Sequence, residues 1–220
     1  MMGKCISIYR YLLGLPYEEV FKLTKEFSLI EDFDWGKKDS GELYVSVEKD
    51  NKRICYFQWG NEASEKNFSM VASECCSRLA AYPHLKKYAE NCGLKLEGSG
   101  YYSHYDFKLT TKFGGVEKTV EVKCRLDEKY DMAYFVENDI ILDKPKETNA
   151  THYYTQTSDG YGFLFDMRSG NPGKVTTSKT TATPSDERIN KDALYFKGKD
   201  RISYWTPWCV ATKKALGLCS

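Results

Sequence analysis

The sequence predicts an α/β fold. Three observations carry that expectation: apolar residues at helical spacing over 17–31 and 64–81, alternation over 42–60, and two further alternating runs at 105–112 and 118–125 joined through Gly114-Gly115. A chain of 220 residues can bury roughly 70% of its unfolded surface in one core, so 1–220 reads as a single domain. Within it, 1–61 forms an N-terminal helix-plus-hairpin extension, 62–170 the core and 171–220 a basic elaboration.

In chain order, Pro16 opens a helix whose stripe includes Val20, Phe21, Phe27 and Ile30. Leu43, Val45 and Val47 alternate, Lys49-Asp50-Asn51-Lys52 turns, and Ile54, Tyr56 and Phe57 return, which predicts a hairpin. From Ser64 to Ala81, Phe68, Val71, Ala72, Cys75 and Leu79 share one helical face. Pro83 interrupts or ends that helix, a short amphipathic piece follows to Asn91, and Gly93 suits a helix end. Leu94–Glu97 precedes a break at Gly98 and Gly100, and the two alternating runs come next. Strands are expected at 132–137 and 161–167, a polar loop with one strand at 171–185, and a closing helix over Trp208–Leu216.

Composition excludes several classes. With 41% hydrophobic, 29% charged and 15% aromatic residues, the chain is neither disordered nor collagen-like. The apolar runs are too short to span a bilayer, and the N-terminus lacks the pattern of a secretory signal. A soluble, cytoplasmic protein is the expectation. Formal charge is +1, but 168–220 carries 10 basic against 4 acidic groups. The eight cysteines form no Cys-x-x-Cys pair, so structural zinc is not expected and reduced thiols are.

The chemistry lies in the two runs around Gly114-Gly115. Folded as a hairpin in which facing residue numbers sum to 229, they set Asp106 opposite Lys123 and Lys108 opposite Glu121. Period-two alternation then puts Asp106, Glu121 and Lys123 on one face, and Phe107, Leu109, Val120 and Val122 on the other, under a covering helix. Neighbouring carboxylates stay ionised only beside a cation, and their hard oxygens suit Mg²⁺ or Mn²⁺. A lysine on the same face can orient a water or offset charge on a phosphate. Those parts suit metal-dependent phosphodiester hydrolysis.

Asp106, fourteen residues, then Glu121-Val122-Lys123 on a strand resembles the core of the PD-(D/E)xK nuclease superfamily, which includes restriction endonucleases, Holliday-junction resolvases and small phage nucleases. The resemblance spans residues 62–137 and departs from the motif at Tyr105, where proline is usual. Glu121-Val122-Lys123 is the one Glu-x-Lys triplet in the chain. The Asp-x-Lys triplets at Asp50–Lys52 and Asp127–Lys129 lack a matching upstream aspartate.

The resemblance implies a restriction-endonuclease-like core: a mixed central β-sheet flanked by helices, with the metal on a bent hairpin. It implies Asp106, Glu121 and the Val122 carbonyl as ligands of Mg²⁺ or Mn²⁺, and Lys123 as the catalytic lysine. Many members add a glutamate from the preceding helix. Helical angles favour Glu65 and turn Glu74 toward solvent. The implied reaction leaves a 5′-phosphate, with DNA ahead of RNA as substrate and a homodimer where both strands are cut.

Lys108, Lys174 and Lys179 are candidate nucleic-acid contacts. Lys197, Lys199 and Arg201, ahead of Tyr204, Trp205 and Trp208, form a basic-aromatic mixture suited to strand stacking, with core packing of the tryptophans the plainer reading. His84, beside Pro83, reads as a surface residue. Two alternatives stand beside the nuclease: a non-catalytic nucleic-acid or protein-binding module on the same fold, and an RNA-directed viral endonuclease.

Overall fold

The computed structural model describes residues 7–125, 127–143, 150–178, 188–207 and 216–217. The N-terminal extension holds helices α1 (Ile8–Leu13) and α2 (Tyr17–Glu26) and an antiparallel sheet of β1 (Asp34–Lys37), β2 (Leu43–Lys49) and β3 (Lys52–Phe57). The β2–β3 turn falls where the sequence places it. Asp50 and Asn51 both take positive φ, 52° and 59°, the pair a two-residue hairpin needs to match strand twist. β1 is an addition to the expected hairpin.

The chain continues through α3 (Glu62–Asn91), β4 (Lys95–Gly98), β5 (Phe107–Thr110), β6 (Val116–Cys124), α4 (Met132–Glu137), β7 (Ile140–Asp143), β8 (His152–Gln156), β9 (Gly162–Asp166), β10 (Asn171–Ser178), β11 (Arg188–Phe196) and β12 (Ser203–Trp205). Six strands form a central mixed sheet in the order β12-β9-β8-β6-β5-β4, with β6 and β8 parallel and the other pairs antiparallel. β10, β11 and β7 make a third, antiparallel sheet.

Period-two alternation gives the central sheet two buried faces. Phe107, Leu109, Val120, Val122, Tyr154 and Leu164 share one apolar cluster with α3 and the N-terminal helices. Tyr153, Phe163 and Phe165 share a second with Phe135 of α4 and with Leu142, Leu194 and Phe196 of the third sheet. Tyr153 and Tyr154, adjacent in β8, belong one to each cluster.

Pro83 neither ends nor divides its helix. α3 runs 30 residues through it, because Leu79, Ala80, Ala81, His84 and Leu85 are buried on both sides of the proline and hold the backbone helical. That packing also corrects the surface reading of His84, which is 2% exposed, stacked on Trp205 at 5.2 Å, with Nδ1 2.7 Å from the Tyr154 hydroxyl. Trp205 thus lies in the core; Trp208 lies outside the described residues.

Burial, aided by Lys87, lowers the His84 pKa to about 4. The unfolded chain therefore binds a proton below about pH 6.5 that the folded chain refuses until pH 4. Stability from this group is full above pH 6.5 and is lost as pH falls to 4, by about 3 kcal/mol at 1.36 kcal/mol per pKa unit. Urea unfolding at pH 7 and 4.5 should show this loss in the native chain and a clearly smaller one in His84→Gln. Equal losses in both would refute the assignment.

Residues 132–137, expected as a strand, form α4. The Asp131 carboxylate accepts from Tyr134 N at 2.8 Å and Asp159 from Met132 N at 3.1 Å, so two side chains cap the first turn. The 161–167 strand is β9, and β10 is the strand expected within 171–185. Lys179 and, apart from Leu216, the closing helix over Trp208–Leu216 lie outside the described residues. No helix among the described residues is long and apolar enough to cross a membrane.

Candidate functional site

The β5–β6 hairpin closes around Gly114, whose φ is +85°, but its register differs from the expected one. Phe107 faces Val120 and Lys108 faces Thr119, so facing numbers sum to 227 there, and a bulge after Leu109 steps the pairing by one residue, to Thr110 facing Val116 next to the turn. The slip is two residues. Because side chains alternate with period two, an even slip leaves every residue on its predicted face while changing its partner. Phe107, Leu109, Val120 and Val122 are accordingly buried. Asp106 comes beside Glu121 instead of Lys123, and Lys108 loses Glu121 and pairs with Glu31 at 3.6 Å.

β5 begins at Phe107, whereas β6 continues beyond Val120 to Cys124, paired there with β8. Asp106 fills the resulting notch. Its backbone N–H donates to Val120 O at 2.9 Å and its Oδ2 accepts from Val122 N at 2.7 Å, so the carboxylate takes the position of a missing strand. In extended backbone a residue's N–H and C=O share one strand edge. The Val122 carbonyl thus opens on the same notch.

From the α3 side, Arg78 enters the notch with a side chain 1% exposed. Its guanidinium donates Nε to Glu74 Oε1 at 2.7 Å and Nη2 to Asp106 Oδ1 at 3.0 Å. Nη1 reaches the carbonyls of Leu29, Ser99 and Asp106 at 3.1, 2.8 and 3.0 Å. From the opposite face come Glu121, largely buried, and Lys123, 55% exposed, with Lys123 Nζ 3.8 Å from Glu121 Oε1. The loop before Asp106 adds Tyr101, packed edge-on to Tyr102, whose hydroxyl lies 2.8 Å from that of Tyr56 in β3.

Three carboxylates therefore share the notch with two cations, and their titration reflects the imbalance. Burial pushes the Asp106 carboxyl well above its usual range, and the Glu74 charge adds to the push against Arg78. Burial is the largest influence on Glu74 and opposes its ionisation, but Arg78, a hydrogen bond with Asp106 and the Lys123 charge together hold that carboxyl below its usual value. Glu121 is raised by burial and by Glu74, with Lys123 opposing. Folded pKa values above the unfolded ones mean that the opposition of Asp106 and Glu121 to folding sets in as pH rises above their unfolded values and is complete once they ionise in the folded state.

The helix carboxylate at this site is Glu74, correcting the choice of Glu65. Glu65 is exposed in the first turn of α3, where its charge suits the helix dipole. It lies nine residues, about 13.5 Å of helix, from Glu74. Helical angles send Glu74 to solvent only if the helix is buried on one side. α1 and α2 do pack on α3, at Ser73 and Phe68, but Glu74 turns to the notch itself, where it meets Arg78 and Asp106. Sequence reasoning missed Arg78 altogether; the signal was its spacing of four from Glu74 within a buried helix.

Lys174 is exposed on β10 in the third sheet, and none of its contacts joins the notch. As they stand, no three His, Cys, Asp or Glu side chains among the described residues converge closely enough to hold a metal ion. Arg78 pairs with both Glu74 and Asp106, whose carboxyls also hydrogen-bond each other. Comparisons with protein-family models, curated proteins and solved structures find no match to this chain.

Proposed function

We propose that the chain is a metal-dependent nuclease with a restriction-endonuclease-like core, hydrolysing phosphodiester bonds, in DNA ahead of RNA, at the notch where β6 runs past the start of β5. The observation carrying this reading is the convergence of Asp106, Glu121 and Lys123 at a hairpin end, with Glu74 contributed by the helix that covers the sheet. The donor chemistry fits a hard divalent cation. With all three carboxyls ionised, the two cations leave one negative charge unmatched, and the raised Asp106 and Glu121 carboxyls reflect the cost of that state, which a divalent cation would relieve.

Asp106, Glu121 and the Val122 carbonyl would hold Mg²⁺ or Mn²⁺, with Glu74 as the additional carboxylate. When bound, the ion supplies Lewis acidity and a more acidic water. Lys123, half in solvent, can donate to a phosphate oxygen. Arg78 holds Asp106 and Glu74 in register.

The test is cleavage of single- and double-stranded DNA with Mn²⁺ or Mg²⁺ against an EDTA control. Lys123→Ala should lower the rate about 10²-fold or more, and Glu121→Ala should abolish it. Full activity in Lys123→Ala rejects the proposal. A second readout needs no turnover: Mn²⁺ should raise Tm more at pH 8 than at pH 5, and do so in the native chain but not in Glu121→Gln. The alternative, a non-catalytic binding module, is favoured by one observation, the guanidinium already paired with both Glu74 and Asp106. It predicts no Mn²⁺ effect on Tm at either pH.

A further inference from the structure

A cavity of about 410 Å³ lies between α4 and the turn that follows β11, away from the notch. Its size falls within the range of small-molecule sites. Phe135 and Phe163 form the floor, and Val136, 72% exposed, stands on the wall. Lys197, Lys199 and Arg201 supply the basic side. These are the cations of the basic-aromatic stretch that the notch does not use.

None of the three forms an ion pair among the described residues. Arg201 is held in place by Nη1 donation to Gly198 O at 2.7 Å and by the Tyr204 ring 4.8 Å beneath its guanidinium. Glu137 and Asp139 also line the cavity. The five charges sum to +1, which balances one phosphodiester and disfavours a polyphosphate.

The cavity's position relative to the notch follows from strand register. Lys123 faces Thr155, and Thr155 faces Phe163, so Lys123 and Phe163 stand in one row on one face of the sheet. Two strand spacings, about 10 Å, separate them. We infer that this cavity holds one nucleotide of a single-stranded nucleic acid, its phosphate on Lys197, Lys199 and Arg201 and its base against Val136 and the phenylalanine floor. A base still paired and stacked in a duplex cannot enter such a cavity, so the occupant is an unpaired strand. The inference rests on the nuclease reading for the identity of the ligand, and it sets the substrate's form.

The experiment measures binding of fluorescein-labelled oligothymidine by anisotropy, with the full chain in EDTA and across a series of KCl concentrations. Lys197→Ala/Lys199→Ala/Arg201→Ala should lower affinity at least tenfold. It should also flatten the plot of log K against log salt by about 0.7 for each phosphate that is no longer neutralised. The control is Lys22→Ala/Lys191→Ala, which removes two exposed cations, one on α2 and one on the third sheet. Lys191 lies five residues, about 17 Å of strand, from the end of β11, and this variant should change affinity less than threefold.

Equal losses in the two variants, no loss in the triple variant, no binding by the native chain, or equal affinity for a duplex would each overturn the inference. Because binding is read without metal, its failure is distinguishable from failure of the nuclease reading. Cleavage that depends on Lys123 can persist when the cavity proves irrelevant, and oligonucleotide can bind when no cleavage occurs.

Discussion

Arg78→Met is expected to destabilise the fold by about 3–5 kcal/mol, the range for removing one partner of a buried charge pair. The substitution keeps much of the side chain's length and apolar stem. It leaves Asp106 and Glu74 without their guanidinium, and the carbonyls of Leu29 and Ser99 without this donor. Those two carbonyls belong to segments 49 and 21 residues from Arg78 in sequence, so the damage reaches the N-terminal extension as well as the notch.

The pH dependence identifies the cause. Without Arg78, both carboxyls should titrate above their unfolded values of about 4, and the folded state then binds more protons through that interval. The variant's deficit should be smallest below pH 4 and grow as pH rises to 7. Arg78→Met/Asp106→Asn should recover part of the stability by removing the stranded charge. Urea unfolding at pH 4 and 7 decides the matter. A deficit under about 1 kcal/mol, or one that does not shrink in acid, would mean that the guanidinium is not the counter-charge of this cluster.

Gly98→Ala is expected to cost about 3 kcal/mol, at the upper end for overpacking. A Cβ at Gly98 would lie 2.6 Å from Ser28 O and closer still to the Leu29 carbonyl group. These are backbone atoms with no rotamer to yield. Accommodating the methyl means moving the 28–30 segment away from β4. That movement breaks the Ile30–Ser99 bridge and withdraws Leu29 O from Arg78. The control is Gly60→Ala, where nothing lies within 4 Å of the new atom and a change within about 0.5 kcal/mol is expected. Thermal unfolding of the two variants compares them directly. Similar Tm values for both would show that the 28–30 segment does not constrain this position.

The hairpin shows why faces are easier to read than partners. Alternation of Phe107 and Leu109 against Val120 and Val122 encodes only which side of the strand seeks burial, and all four are buried. The register depends on how the turn is built. The turn pairs Thr110 with Val116, three residues from the expected register, and the bulge after Leu109 takes one residue back. No hydrophobic pattern records either step, so the pairing beyond the bulge differs by two and Lys108 meets Glu31. The stretch 132–137 departs from its expected strand for a related reason. Six residues are too few for period to separate helix from strand, and the caps that decide it come from Asp131 next door and from Asp159, 27 residues on.

The α/β class, the hairpin that carries Asp106, Glu121 and Lys123, and the sides of β5 and β6 that pack beneath α3 are legible in the chain before it folds. Those properties are written in the period and in the turn residues of contiguous segments. Long-range packing alone dictates that Glu74 and not Glu65 joins the site, that Pro83 lies inside a continuous helix, and that a buried arginine stands among the carboxylates. The end of the β5–β6 hairpin, with Asp106 and Arg78, meets the side of α3 that local angles assign to water. Leu29, Ser99 and Asp106, brought together from three separate segments, supply the acceptors without which a guanidinium could not be buried at all.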